Sequence, residues 1–139
     1  RQVLYGADEA HEVADEIRDR IAGVLLSHEV TATDAKDGDR IRNRYAELQD
    51  AGIPVAFHSA AEEGAIDLPL MAAYAVSQGM SPQGALRALT FDAARMLSID
   101  DRVGQLAPGL DGDVVVLDGS PLEIQSSVVR VLVNGREVE

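Results

Sequence analysis

Apolar and polar positions alternate in blocks that predict strands and helices in turn over the first hundred residues. Short apolar runs predict strands at residues 2–5, 24–26 and 53–57, and uninterrupted apolar runs are typical of a parallel sheet covered on both faces. Between these runs, helical spacing predicts one helix from Asp8 to about residue 20 and another over residues 37–52. The order strand-helix-strand-helix-strand implies a parallel sheet with right-handed crossovers.

Local signals give further detail for these two helices. Asp8 is the expected N-cap of the first helix, and the second is expected to open at residues 37–39. The second helix should then carry three apolar side chains inward: Ile41, Tyr45 and Leu48.

The second half of the chain first continues as helix and then changes character. Residues 68–79 form an apolar helical stretch, Ser81 is the expected cap of a helix over residues 83–89, and Thr90 is expected to cap a last short helix. From residue 101 turns and strands follow, including a strand at Val128–Val133 that closes in an Asn-Gly turn. We therefore expect two units, residues 1–100 and residues 101–139.

Composition and charge exclude several function classes. The net charge of −12 disfavours nucleic acid and anionic membrane surfaces, which need clustered Lys and Arg. The chain has no cysteine, so we expect no disulfide and no thiolate metal site. It has no apolar run of about 20 residues, so we expect no membrane span. It begins at Arg1, which fits a fragment and a processed product equally. A cytoplasmic location is the default expectation, with secretion or a periplasmic location left open.

Three parallel strands do not complete a known architecture. A closed barrel of alternating strands and helices needs eight units and about 250 residues, and a free-standing doubly wound sheet usually has more than three strands. The chain is therefore expected to be part of a longer protein. Alone it should expose strand edges and apolar patches, and we expect a homo-oligomer if it is stable.

Three segments resemble the C-terminal part of the amidohydrolase superfamily. Residues 51–59 (AGIPVAFHS) resemble its last barrel strand, and residues 78–90 (QGMSPQGALRALT) are similar to a characteristic helix start. Residues 104–118 (GQLAPGLDGDVVVLD) resemble its turn into a β-sandwich, although Leu110 and Gly112 replace Lys and Ala. The likeness covers nearly the whole chain. It is closest to the imidazolonepropionase-like, exported-amidohydrolase and dipeptidase-like branches.

The resemblance implies both a fold and an activity. The expected α/β fold is the last three βα units of a (β/α)8 barrel followed by part of a small β-sandwich. The implied parent protein is a hydrolase of C–N bonds in a small amide, peptide or cyclic amide, and it uses one or two divalent ions, zinc first. Most of the implied metal ligands would precede residue 1, so the isolated chain is expected to be inactive.

Two positions depart from the family pattern. Ala60 stands where the family has a metal-binding and proton-transferring Asp, and alanine can do neither. Tyr5 stands close to the place of a family His. These departures keep two alternatives open: a non-catalytic relative whose pocket only binds a ligand, and an independent α/β interaction module. We assign no catalytic residue.

Two histidines are the candidate metal ligands. His58 has the strand parity of Ala56 and Ala60, so it should face the barrel lumen, and His28 follows the second strand. Together they would supply two imidazoles, fewer than the three protein ligands of a catalytic zinc. The alternative for His58 is a structural histidine. Three acidic residues nearby in sequence, Glu29, Glu62 and Glu63, could add oxygens or form a solvated loop.

Other chemical motifs are weaker. Asp111 and Asp113 flank Gly112 in a turn with too few oxygens for calcium, so we expect their side chains to bond backbone N–H groups. Ser59 lacks the Gly-x-Ser-x-Gly context of a nucleophilic serine.

Overall fold

The computed structural model describes residues 1–27, 29–34, 40–59 and 67–138. The helices and strands of these residues, in chain order, are β1 Gln2–Tyr5, a 3₁₀ turn Ala10–Val13, α1 Ala14–Ile17, β2 Ile21–Leu26, β3 Thr31–Asp34, β4 Arg40–Asn43, α2 Arg44–Asp50, β5 Val55–Phe57, α3 Leu68–Ser77, α4 Pro82–Leu89, α5 Phe91–Met96, β6 Val114–Leu117, β7 Val128–Val133 and β8 Arg136–Val138.

The expected parallel sheet is present, in the order β1-β2-β5. Leu4 lies opposite Val24, and Val24 opposite Val55, so these residues share one face with Leu26 and Phe57. That face belongs to the hydrophobic core, in which Tyr45 and Leu48 of α2 are fully buried. The opposite face carries Tyr5, Leu25 and Ala56, and the alternation continues to His58.

A β-hairpin stands where the sequence predicted the start of the second helix. Strands β3 and β4 pair antiparallel, with Thr31 opposite Asn43 and Thr33 opposite Ile41. Residues 37–39 lie outside the described residues, but the predicted helix is wrong over residues 40–43. The helix starts after Asn43, because its Oδ1 accepts a hydrogen bond from the Ala46 backbone N at 3.0 Å. Ile41 is consequently exposed and does not face the core.

The predicted cap at Asp8 is wrong, and the predicted cap at Thr90 is confirmed in position but makes no capping bond. Glu9, and not Asp8, holds the cap position of the 3₁₀ turn, and it makes no side-chain capping bond. Thr90 does occupy the cap position of α5, but its hydroxyl donates to the Leu86 carbonyl at 2.8 Å. The Ser81 prediction is confirmed, since its Oγ accepts from the Gly84 N at 3.1 Å.

Residues after α5 form the second sheet, antiparallel in the order β6-β7-β8. Asp113 Oδ1 accepts a hydrogen bond from the Asn134 N at 2.8 Å, as predicted for this turn, whereas Asp111 pairs with Arg102. Several side chains of this sheet are exposed valines: Val115, Val116, Val128, Val129, Val133 and Val138. The prediction of exposed apolar surface is confirmed, and oligomerisation stays a prediction. Within the described ranges, no helix is long and apolar enough to cross a membrane.

Helix α5 reaches back to the first sheet. A Cβ atom added at Gly23 of β2 would overlap the Met96 side chain and lie 2.7 Å from the Pro54 carbonyl oxygen. Gly23 has the parity of Leu25, so Met96 covers the beginning of the face that carries Tyr5 and His58. One end of this face is therefore closed by α5, and the other lies at the carboxyl ends of the strands.

Candidate active site

Two aromatic rings meet at the carboxyl ends of the parallel strands. The rings of Tyr5 and His58 stack with centroids 4.6 Å apart and planes 26° apart. Tyr5 ends β1 and His58 follows β5, so the pair reaches across the central strand β2. Tyr5 is 71% exposed, whereas the Nε2 atom of His58 is buried. The pair therefore presents a flat, accessible phenol ring at this edge.

Polar side chains surround the point where β2 ends. The Ser27 hydroxyl donates to Asp8 Oδ1 at 3.1 Å. Arg44 Nη1 lies 3.3 Å from Glu29 Oε2 and 3.9 Å from Asp8 Oδ1, and the Arg44 side chain is only 13% exposed. Two carboxylates thus compensate one mostly buried guanidinium, as burial of a charge requires.

Tyr45 ties this network to the core. Its hydroxyl lies 2.9 Å from the Leu26 carbonyl oxygen and 2.8 Å from that of Ser27, and it donates to this pair of acceptors. Its ring stacks on Phe57, with centroids 4.4 Å apart. Burial raises the pKa of the Tyr45 phenol above its ordinary value of 10.0, and the nearby Asp8 charge adds to the effect. The phenol therefore remains a donor at neutral pH.

The residues described so far do not make a metal centre by themselves. Among residues 1–27, 29–34, 40–59 and 67–138, no group of three or more His, Asp or Glu side chains is placed to hold a metal ion. Of the predicted ligands, His58 lies at the expected edge. His28, Ala60, Glu62 and Glu63 lie outside the described residues.

Three polar residues at this edge were not predicted from the sequence. Tyr45 was assigned to the core, and Asp8 to a helix cap, because their local patterns fit those roles. Arg44 carried no signal at all, since one arginine in a charged segment is ordinary. Only the register of three separate strands and the hairpin brings these side chains together.

Comparison with known protein families shows which family this chain belongs to. The family model described as "Amidohydrolase family" matches residues 68–139, which is more than half of the chain. This chain belongs to the amidohydrolase family. Among curated relatives, the amidohydrolase chain is 33% identical over 102 residues to an imidazolonepropionase of Geobacillus kaustophilus. That alignment covers 70% of this chain and 23% of the relative, so the chain spans about a quarter of its length.

Solved structures agree with this assignment. An amidohydrolase from Thermotoga maritima is 27% identical and superposes with a TM-score of 0.84, covering 99% of this chain and 36% of that protein. A zinc-bound adenosine deaminase from Xanthomonas campestris, 20% identical with a TM-score of 0.67, shows the same fold over 97% of this chain and 36% of its own length. The mixed α/β fold is therefore that of amidohydrolases.

Proposed function

We propose that this amidohydrolase chain supplies part of the substrate-binding edge of a metal-dependent hydrolase. The reaction is hydrolysis of a C–N bond in a small amide, peptide or cyclic amide. We propose that the 139-residue chain is inactive alone, because it spans only about a quarter of the length of its imidazolonepropionase relative. The observation that carries the proposal is the parallel sheet β1-β2-β5, whose carboxyl edge presents Tyr5 and His58 in a chain of this family.

The architecture proposed for the longer protein follows from the two sheets. Residues 1–100 contribute the last three βα units of a (β/α)8 barrel, and residues 101–139 contribute part of a β-sandwich. The unpaired outer edges of this sheet support the proposal, since within the described residues β1 and β5 each pair only with β2. The face with Tyr5 and His58 would then line the barrel lumen, where active sites of such barrels lie at the carboxyl ends of strands.

Metal dependence is proposed for the longer protein. It is supported by family membership and by the zinc named for the Xanthomonas campestris neighbour. A divalent ion would supply Lewis-acid polarisation and a hydroxide nucleophile. His58, which lies at this edge, is the first proposed ligand, and His28, which lies outside the described residues, is the second. The stacked Tyr5 ring would contact the flat amide or ring of the substrate.

Zinc titration of the 139-residue chain tests the proposed role of His58. The expected result is weak zinc binding that His58→Ala removes and His11→Ala preserves, because His11 lies on the 3₁₀ turn with its Nδ1 2.9 Å from the Asp8 carbonyl oxygen. Equal zinc binding by the two variants would contradict a metal role for His58. So would the absence of zinc binding in the wild-type chain and in both variants.

A non-catalytic ligand-binding relative is the second candidate function. The observation that favours it is Ala60, which stands at the position where the family pattern places the catalytic Asp. The variant Ala60→Asp separates the two in the longest reading frame that contains this chain. A binder that lost its catalysis at residue 60 would hold amides without turnover with Ala60 in place and gain turnover in Ala60→Asp, whereas an enzyme in which another group replaces the missing Asp would already hydrolyse them with Ala60 in place.

A further inference from the structure

We propose that Tyr45 is a positioning residue that fixes the ends of β2 and β5 and thereby holds the His58 imidazole against Tyr5. This inference rests on the proposed function only in treating that edge as the substrate-binding edge. Tyr45 acts through the strand ends that carry the two rings.

The first link is a shared acceptor. The Leu26 carbonyl oxygen, the last of β2, accepts from the Tyr45 hydroxyl at 2.9 Å and from the His58 backbone N at 3.4 Å. One carbonyl has two acceptor lone pairs, so both donors can be served at once. The phenol thus fixes the oxygen to which the His58 backbone is tied.

The second link is the aromatic stack on the neighbouring strand. The Tyr45 ring lies 4.4 Å from the Phe57 ring, centroid to centroid, with planes 25° apart. Phe57 immediately precedes His58 and faces the opposite side of the sheet. Holding Phe57 on the core side therefore directs His58 to the face where Tyr5 lies.

The third link runs from β2 to the end of β1. Tyr45 also lies 2.8 Å from the Ser27 carbonyl oxygen, and the Ser27 hydroxyl donates to Asp8 Oδ1. Asp8 follows β1 three residues after Tyr5. The fully buried Tyr45 side chain is thereby connected to the ends of all three parallel strands.

Helix α2 provides a rigid base for this residue. The cap residue Asn43 accepts from the Ala46 N and donates from Nδ2 to the Ala75 carbonyl oxygen at 2.8 Å. The Arg44 N donates to the Val30 carbonyl oxygen at 3.1 Å. The start of α2 is therefore fixed to α3 and to the segment before β3, which is what a positioning residue needs.

Proton NMR of the 139-residue chain tests the proposal through the variant Tyr45→Phe, which keeps the ring and removes the hydroxyl. We expect loss of the cross-peaks between the Tyr5 and His58 rings, and about five- to tenfold faster exchange of the His58 backbone amide. Core amides of α3 should exchange at the wild-type rate. Tyr74→Phe is the matched control, because Tyr74 is an exposed tyrosine on α3, and it should leave every signal in place.

Phe57→Leu is a second variant, which keeps the Tyr45 hydroxyl and removes the Tyr45–Phe57 stack. Three outcomes of the two variants test the proposal. Local loss of the Tyr5–His58 cross-peaks in Tyr45→Phe and in Phe57→Leu supports the proposal. Unchanged cross-peaks in both variants overturn it. A uniform acceleration of exchange throughout the core also overturns it, because Tyr45 would then only stabilise the fold. None of these readouts involves hydrolysis, so failure of the proposed enzyme activity is a separate result.

Discussion

Replacing Gly23 by alanine tests how α5 covers the beginning of the Tyr5–His58 face. The new Cβ would overlap the Met96 side chain and approach the Pro54 carbonyl oxygen to 2.7 Å. Overpacking of this kind costs about 1–3 kcal/mol. Gly23 does not have a positive φ, so alanine fits its backbone, and the lower entropy of the unfolded chain returns about 0.4–1 kcal/mol. The central values of the two ranges, about 2 and about 0.7 kcal/mol, leave a net loss of about 1.3 kcal/mol in the free energy of unfolding.

Urea unfolding followed by circular dichroism measures this loss as a lower midpoint with an unchanged slope. The double variant Gly23→Ala, Met96→Ala is the control. With the Met96 side chain removed, the added methyl group should cost about 1 kcal/mol less than it does in the wild-type chain. The contact with the Pro54 backbone remains, so recovery should be incomplete. A stability of Gly23→Ala equal to wild type, or full additivity in the double variant, would refute the packing of Met96 on this face.

Three further predictions concern caps and the buried phenol. Asn43→Ala should destabilise the chain by about 1–2 kcal/mol in urea unfolding, because it removes both the cap and the buried Nδ2 bond to the Ala75 carbonyl oxygen, whereas Asn43→Ser should retain a capping oxygen and lose less; equal losses would contradict the capping role. Because the folded-state pKa of Tyr45 is raised above 10.0, its contribution is fully present below pH 10 and is lost as pH rises above it. The unfolding free energy of wild type should therefore fall by up to about 1 kcal/mol more than that of Tyr45→Phe between pH 10 and 11, and parallel curves would be the contrary result. Ser81→Ala should cost about 1 kcal/mol, since Ser81 Oγ caps α4 and donates to Gln49 Oε1 at 2.9 Å; a neutral effect in thermal unfolding would show that the cap contributes nothing.

The parallel strands were predictable because their signal is local. Apolar runs such as residues 24–26 and 53–57 are bounded by turn residues, and their strand character does not depend on distant contacts. The hairpin was missed because β3 and β4 are short and one, Arg40–Asn43, alternates charged and apolar residues next to a true helix. The Asn43 cap was the decisive local signal, and the competing Asp-Gly-Asp segment concealed it.

The site was predictable only in part for a related reason. Strand parity placed His58 on the correct face, because parity follows from the sequence once the strand is known. The Tyr5–His58 stack joins β1 to the end of β5, 53 positions apart in sequence, and depends on the strand order. The Tyr45 and Arg44 contacts depend on where α2 begins, and the prediction from the sequence placed that start several residues too early.

The measurement that tests the central claim most directly is hydrolysis of a panel of N-acyl amino acids, dipeptides and cyclic amides. It compares the longest reading frame that contains this chain with the 139-residue chain alone, each before and after chelation. The account predicts hydrolysis by the longer protein that chelation abolishes and added zinc restores, and none by the 139-residue chain. Hydrolysis that survives chelation, or amide binding without any turnover by the longer protein, would contradict it.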